Sequence, residues 1–560
     1  MIRFPTIKRI QMNIFQKTFP LILIFASTAL NAEVVNYYYK NFETYNSMWN
    51  TPDGWLVDED GSKVPASQYP NNSDSVTANI FMNGDYLANP INWKDVVSNT
   101  NITVNNVTFE VGATNTSSMG ISFDQGTTFT IEGDLLLTLS EGSANTGTTQ
   151  RIVSSKQVNM ASLVVNGNVL AGATSEENAG TLRLGGTKNI AGNEWDAALK
   201  NIYVKGDVIS SNKSKIQINA SKINTDNSTM NELIEASLAN PDVVIDGSLK
   251  ANGTGSVNPD IVLLNLNGGG DAGALGGVTT FKIAEGITGA WNSMKNDASK
   301  AGTKSLSILL LNNTGGYSTN AWMYDDNVSN VVASTGIAMS GSGMNTNSQV
   351  KIIMDGTGSQ IFNGERFWIS GGVEVRNGTL QIRMHSNSKY ESGKDTDGNE
   401  ISGEEIRLMN HGDLTLKGGK FGSLLEGNGS MGFNNLYYSG GTYMLGVDYD
   451  GGNDMLKFYG GVYKGEGWID GVSKFYIEVS GTKDNLVDNW AHIFEWDNTA
   501  NETDFEASDF YSEDFNEYSA IFKIEDDGLW MMYTEVPEPA AFAAIFGALA
   551  LALAAAKRRK

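Results

Sequence analysis

Short apolar runs of three to five residues, each closed by a polar residue and glycine, recur along the middle of the chain. Leu163-Val164-Val165-Asn166-Gly167, Leu182-Arg183-Leu184-Gly185-Gly186, Ile202-Tyr203-Val204-Lys205-Gly206 and Val243-Val244-Ile245-Asp246-Gly247 share this form. Alternation of apolar and polar positions over so few residues predicts half-buried strands, and the closing glycines predict turns. These glycines fall 19, 20 and 41 residues apart, with Ile216-Gln217-Ile218 inside the double interval. That spacing predicts a repeat near 20 residues, suited to one coil of a stacked solenoid. Gly371 to Ile382 reads as two strands around an Asn377-Gly378 turn, and Gly412 to Gly419 has the same texture. Helix is scarce. Thr229-Met230-Asn231-Glu232 forms a capping box that opens a short helix, which Pro241 stops.

The body divides into three stretches on this pattern. Residues 33–100 are rich in Trp, Tyr and Pro and predict an N-terminal cap over the first coil's open edge. Residues 101–433 carry the solenoid repeats. Residues 434–533 form a C-terminal β region denser in aromatics and acids, ending in a hairpin of Ile521–Ile524 and Leu529–Tyr533 around Glu525–Gly528. The fold class expected is all-β.

The two ends follow other rules. Residues 1–32 have a basic start (Arg3, Lys8, Arg9, Lys17), an apolar core from Pro20 to Leu30 and a cleavage site at Leu30-Asn31-Ala32. This is the layout of a secretory signal peptide. At the other end, residues 534–560 contain Val536-Pro537-Glu538-Pro539, an uncharged stretch of 17 residues from Ala540 to Ala556, and Lys557-Arg558-Arg559-Lys560. As a helix the stretch spans roughly 26 Å, slightly less than a hydrocarbon core of about 30 Å. The prolines hold the approach to it extended, and the terminal cations favour the cytoplasmic side of a membrane.

This C-terminal arrangement resembles the PEP-CTERM sorting signal of Gram-negative bacteria. The resemblance implies an exosortase-type processing enzyme as partner, with Val536, Pro537, Glu538 and Pro539 as its recognition element and Lys557, Arg558, Arg559 and Lys560 as the basic stop. It further implies export, a transient inner-membrane anchor through the C-terminal helix, then residence on the cell surface or in an exopolysaccharide matrix. The strand texture of the body resembles autotransporter passenger domains, which implies a right-handed parallel β-helix. No outer-membrane barrel follows it, so the autotransporter route of secretion does not transfer.

Composition narrows the chemistry. The net charge is −24, and it becomes −32 once residues 1–32 and the tail after Pro539 are removed. A chain so acidic will not hold nucleic acid through its general field. Without cysteine, thiol catalysis, cysteine metal sites and disulfides are all excluded. His385, His411 and His492 have no metal-ligand or triad partner at motif spacing, and neither a nucleophile elbow nor a phosphate-binding loop occurs.

Calcium is the one candidate cofactor. Asp395, Asp397 and Glu404 surround Gly398 with oxygen ligands at partly matching positions, and Asp448 to Asp454 is a weaker second loop. A solvated turn explains both loops without metal.

Three readings of function stay open at this point. The first is a structural or adhesive surface protein with no enzymatic activity. The second is a secreted polysaccharide lyase or glycoside hydrolase on a β-helix, with clustered carboxylates. The third is a carbohydrate-binding surface built from aromatic side chains.

Overall fold

A computed structural model describes most of residues 32–535 and scattered positions between 547 and 558. Residues 1–31 and 536–546 lie outside the description, as do segments within the body, the longest being 320–337. The predicted signal peptide is therefore almost wholly outside the described residues.

The described body is all-β with long parallel sheets. The chain visits three sheets in turn, and each strand pairs with its counterpart one circuit later. Sheet I has ten strands, and a seven-stranded sheet takes over from it at the parallel bridge Gly289–Thr319. Sheet II has nine strands and ends at Ala338–Gly341, and a separate five-stranded sheet begins at Ser430–Phe433. Sheet III runs unbroken through twelve strands, from Ile102–Val104 to Val462–Lys464. At about 4.8 Å per strand, it spans roughly 50 Å along the stacking axis.

The short apolar runs fold this way because an alternating triplet buries two side chains and turns out one. In sheet III the first inward position forms a single in-register column through Ile102, Phe129, Leu163, Ile202, Val243, Phe281, Leu309, Ile352, Val373, Leu414, Leu436 and Val462. All twelve are buried. Stacking completes what one coil lacks, covering its apolar face and pairing both of its edges.

The circuit lengths correct the expected period. Successive residues of that column are between 21 and 43 residues apart, and the circuits through Leu163, Ile202 and Val243 take 39 and 41 residues. The expected repeat near 20 mixed two faces of one coil. Gly167, Gly206 and Gly247 stack in the corner between sheets III and I, whereas Gly185 and Gly186 follow Thr181–Leu184 in sheet II. Asn377-Gly378 is likewise a corner rather than a hairpin turn. Gly372–Val375 belongs to sheet III and Thr379–Ile382 to the seven-stranded sheet, with Gly378 at φ +63°.

Polar side chains line the corner between sheets III and I. Asn106 Oδ1 accepts from the Asp134 amide, Asp134 Oδ1 from the Asn168 amide, and Asn168 Oδ1 from the Asp207 amide, at 2.7–2.9 Å. Asp207 Oδ1 then accepts from Ser248. The ladder satisfies the corner amides that no strand reaches.

Both ends of the stack are closed. At the first, strands Trp55–Glu59 and Ser62–Pro65 run antiparallel beside Glu33–Tyr39. Trp49 and Trp55 fill the interior there with ring centroids 4.8 Å apart, and each indole N–H donates to a backbone carbonyl. At the far end the second inward column of sheet III, which includes Leu416 and Tyr438, terminates in Lys464. Its ammonium meets Asp509 at 3.1 Å and Asp470 at 2.8 Å, beside the Trp468 and Phe505 rings that cover Tyr438. The closing hairpin of Tyr518–Glu525 and Gly528–Glu535 forms as the sequence predicts.

The capping box also forms. The helix is Met230–Ala239, with Thr229 and Glu232 capping each other reciprocally. Met230, Leu233, Ile234 and Leu238 pack on outward-facing Val278, Leu306, Ile308, Leu310 and Ile353 of sheet III, making a second small core outside the coil. Beneath it, the Ser237 hydroxyl bonds Asp242 Oδ2, which also accepts from the Thr280 amide.

Candidate functional site

The outward side of sheet III changes character along the stack. Ile353, Glu374, Thr415, Tyr437 and Tyr463 take equivalent outward positions on five neighbouring strands. Ile353 lies under the helix, and Tyr437 is exposed. Between them Glu374 is only 5% exposed although it points away from the coil interior.

Three cations converge on Glu374. Lys351 Nζ lies 2.8 Å from Oε2, while Arg376 Nε and Lys417 Nζ lie 2.8 and 3.0 Å from Oε1. Arg376 also reaches Asp355 at 3.5 Å. Burial on its own raises a carboxyl's pKa, but attraction to Lys351 and hydrogen bonds from Lys351, Arg376 and Lys417 outweigh it and hold Glu374 down at about 2. One cation would neutralise this carboxylate. Among the described residues, three cations against Glu374 and Asp355 leave the cluster with one surplus positive charge, while Asp413 acts on Tyr437 farther along the strip.

Two strands farther on, Tyr437 and Tyr463 stack with centroids 5.7 Å apart and planes 27° apart. The cluster and the tyrosines thus share one outward strip. A cation with spare donors beside an exposed aromatic ring can hold a small anion on a flat, partly apolar body. Sequence reasoning missed this grouping. Lys351, Glu374 and Lys417 are separated by circuits of unequal length, so no fixed spacing marks them.

Another aromatic group, half-buried, is stacked within itself. His492 and Trp530 are stacked at 4.2 Å with planes 3° apart, and Lys523 lies 5.2 Å from Trp530 and 4.5 Å from Trp490. His492 and Lys523 flank Trp530 from the strands on either side of it.

The residues singled out from the sequence fall as follows. Val536, Pro537, Glu538 and Pro539 lie outside the described residues, as do Arg559 and Lys560, whereas Lys557 and Arg558 are described and exposed. Among the described residues no helix is long and apolar enough to cross a membrane, and much of Ala540–Ala556 is outside them. Asp395, Asp397 and Glu404 are outside as well, and the short strands Gly393–Lys394 and Glu400–Ile401 pair antiparallel across the first two. His385 and His411 are not described.

Asp448 to Asp454 is a turn held by its own backbone. The Asp448 amide donates to Gly452, Asp448 Oδ1 accepts from the Tyr449 amide, and Asn485 Nδ2 donates to the Asp448 carbonyl at 2.6 Å. Asp454 is buried and accepts from the Gly429 amide. Among the described residues no group of three or more His, Asp or Glu is arranged to hold a metal ion.

No protein-family model matches the chain, and no curated protein is significantly similar to it.

Proposed function

We propose that this protein is an exported structural or adhesive component of the cell surface or exopolysaccharide matrix. Its body is a right-handed parallel β-helix, sorted through its C-terminal PEP-CTERM-type signal by an exosortase-type enzyme. The observation that carries this reading is where the fold closes. The last strand, Gly528–Glu535, is held on one side by Tyr518–Glu525 and on the other by the Val487–Tyr533 bridge and the Asp488–Tyr533 hydrogen bond. Its last described residue, Glu535, directly precedes Val536 of the proline motif. The first strand likewise opens at Glu33, directly after the expected cleavage at Ala32.

The described core between these two points is built from residues of the body itself. A long stack of coils with a continuous apolar interior supplies length and contact surface, which suits a matrix or adhesive role. The test is deletion of Val536–Lys560 followed by fractionation of cells. Release to the periplasm or medium is expected, and unchanged surface retention would refute the sorting assignment. Peptide mass spectrometry of the native C-terminus adds a second check: a terminus near Pro537–Pro539 supports processing, and an intact Lys560 refutes it.

A further inference from the structure

We propose that the outward strip of sheet III from Glu374 to Tyr437 binds an acidic sugar residue within a largely neutral polysaccharide. This names the ligand class for the matrix role above and rests on that reading. Glu374 acts here as a positioning residue. Its buried carboxylate gathers Lys351, Arg376 and Lys417 within 3.0 Å and so fixes three cations at one place. Each keeps N–H donors beyond those spent on Glu374, because an ammonium carries three and a guanidinium five. Lys417 is half-exposed.

A sugar carboxylate fits this arrangement as a planar acceptor for a guanidinium or ammonium. Tyr437 lies two strands away, about 10 Å along the axis, within reach of a neighbouring sugar ring of the same chain. The part of its ring left uncovered by Tyr463 supplies an apolar contact for a sugar face.

The surplus positive charge is confined to the Lys351, Arg376 and Lys417 end of the strip, with Asp413 acting on Tyr437 at the other, and this selects a sparsely charged glycan. A densely charged polymer such as nucleic acid would place many phosphates against a chain of net charge −24. A carboxylate spaced among neutral sugars meets the cluster without that repulsion.

The experiment is calorimetric titration of the full chain with three probes at low salt. They are a neutral-backbone oligosaccharide bearing one glucuronate, the same oligosaccharide with its carboxyl reduced to the alcohol, and single-stranded DNA. The acidic form is expected to bind about tenfold or more tighter than the reduced form, the size of one charge-assisted hydrogen bond. Lys417→Gln, at a half-exposed position, should remove that preference without weakening the reduced form. Tyr437→Ala should weaken both. Equal binding of the two oligosaccharides, equal binding of DNA, or an unaltered preference in Lys417→Gln would overturn the inference. Failure here with surface sorting intact removes only the ligand class, while failure of the deletion experiment removes the sorting reading and leaves this titration unaffected.

Discussion

The Lys351 ammonium lies 2.8 Å from the Glu374 carboxylate, reaching it from the preceding strand of sheet III. This pair crosses between coils, so it ties neighbouring turns of the stack by charge as well as by ladder hydrogen bonds. Its contribution depends on pH. Glu374 titrates at about 2 in the fold against an ordinary 4.5, so its stabilisation is complete above pH 4.5 and is lost as pH falls towards 2. The shift corresponds to on the order of 3 kcal/mol. Hydrogen exchange of the Val373–Val375 amides should show wild type losing its advantage over Glu374→Gln between pH 4.5 and 2. An equal gap at both pH values would contradict the pairing.

The corner glycines set a steric test. A Cβ on Gly206 would come within 2.7 Å of the Gly167 carbonyl oxygen and closer still to Asn168 Oδ1. Gly206→Ala must push the two coils apart, and the expected cost is about 1–3 kcal/mol, in the range of other overpacked sites. A lowered melting temperature would show it; a variant as stable as wild type would mean that the corner yields freely.

The ladder beside those glycines separates shape from hydrogen bonding. Asp134 Oδ1 accepts from both the backbone and side-chain nitrogens of Asn168, at 2.7 and 3.1 Å. Asp134→Ala leaves that corner amide unsatisfied and should cost about 1–3 kcal/mol. Asp134→Asn retains an acceptor and should cost less. Denaturation midpoints that rank the two variants the other way round would rule out the ladder as the cause.

The helix offers a test of locality. Thr229→Ala removes one half of the capping box and should cost about 1 kcal/mol. Because coils contact mainly their neighbours, the loss should appear as faster exchange in Met230–Ala239 and leave distant amides such as Thr128–Ile131 unchanged. Uniform acceleration across both segments would mean that the chain opens as one unit.

How far the sequence was legible depended on the range of each interaction. Thr229 and Glu232 are three residues apart, and the box they make was predicted and found. The hairpin around Glu525–Gly528 is equally local and also formed. The repeat was misread because Gly186 and Gly206 look alike in sequence but terminate strands of different sheets. Asn377-Gly378 failed for the same reason, since one dipeptide suits both a hairpin and a corner.

By itself the sequence determined the strand texture, the all-β class, the isolated helix and the closing hairpin, because alternation and capping act over a few residues. Only the tertiary structure decided which strands stack. That choice depends on circuits of 21 to 43 residues, whose unequal lengths leave no period to count. It is what brings Lys351, Glu374 and Lys417 together, since register along the axis sets neighbours across coils whatever their separation in the chain.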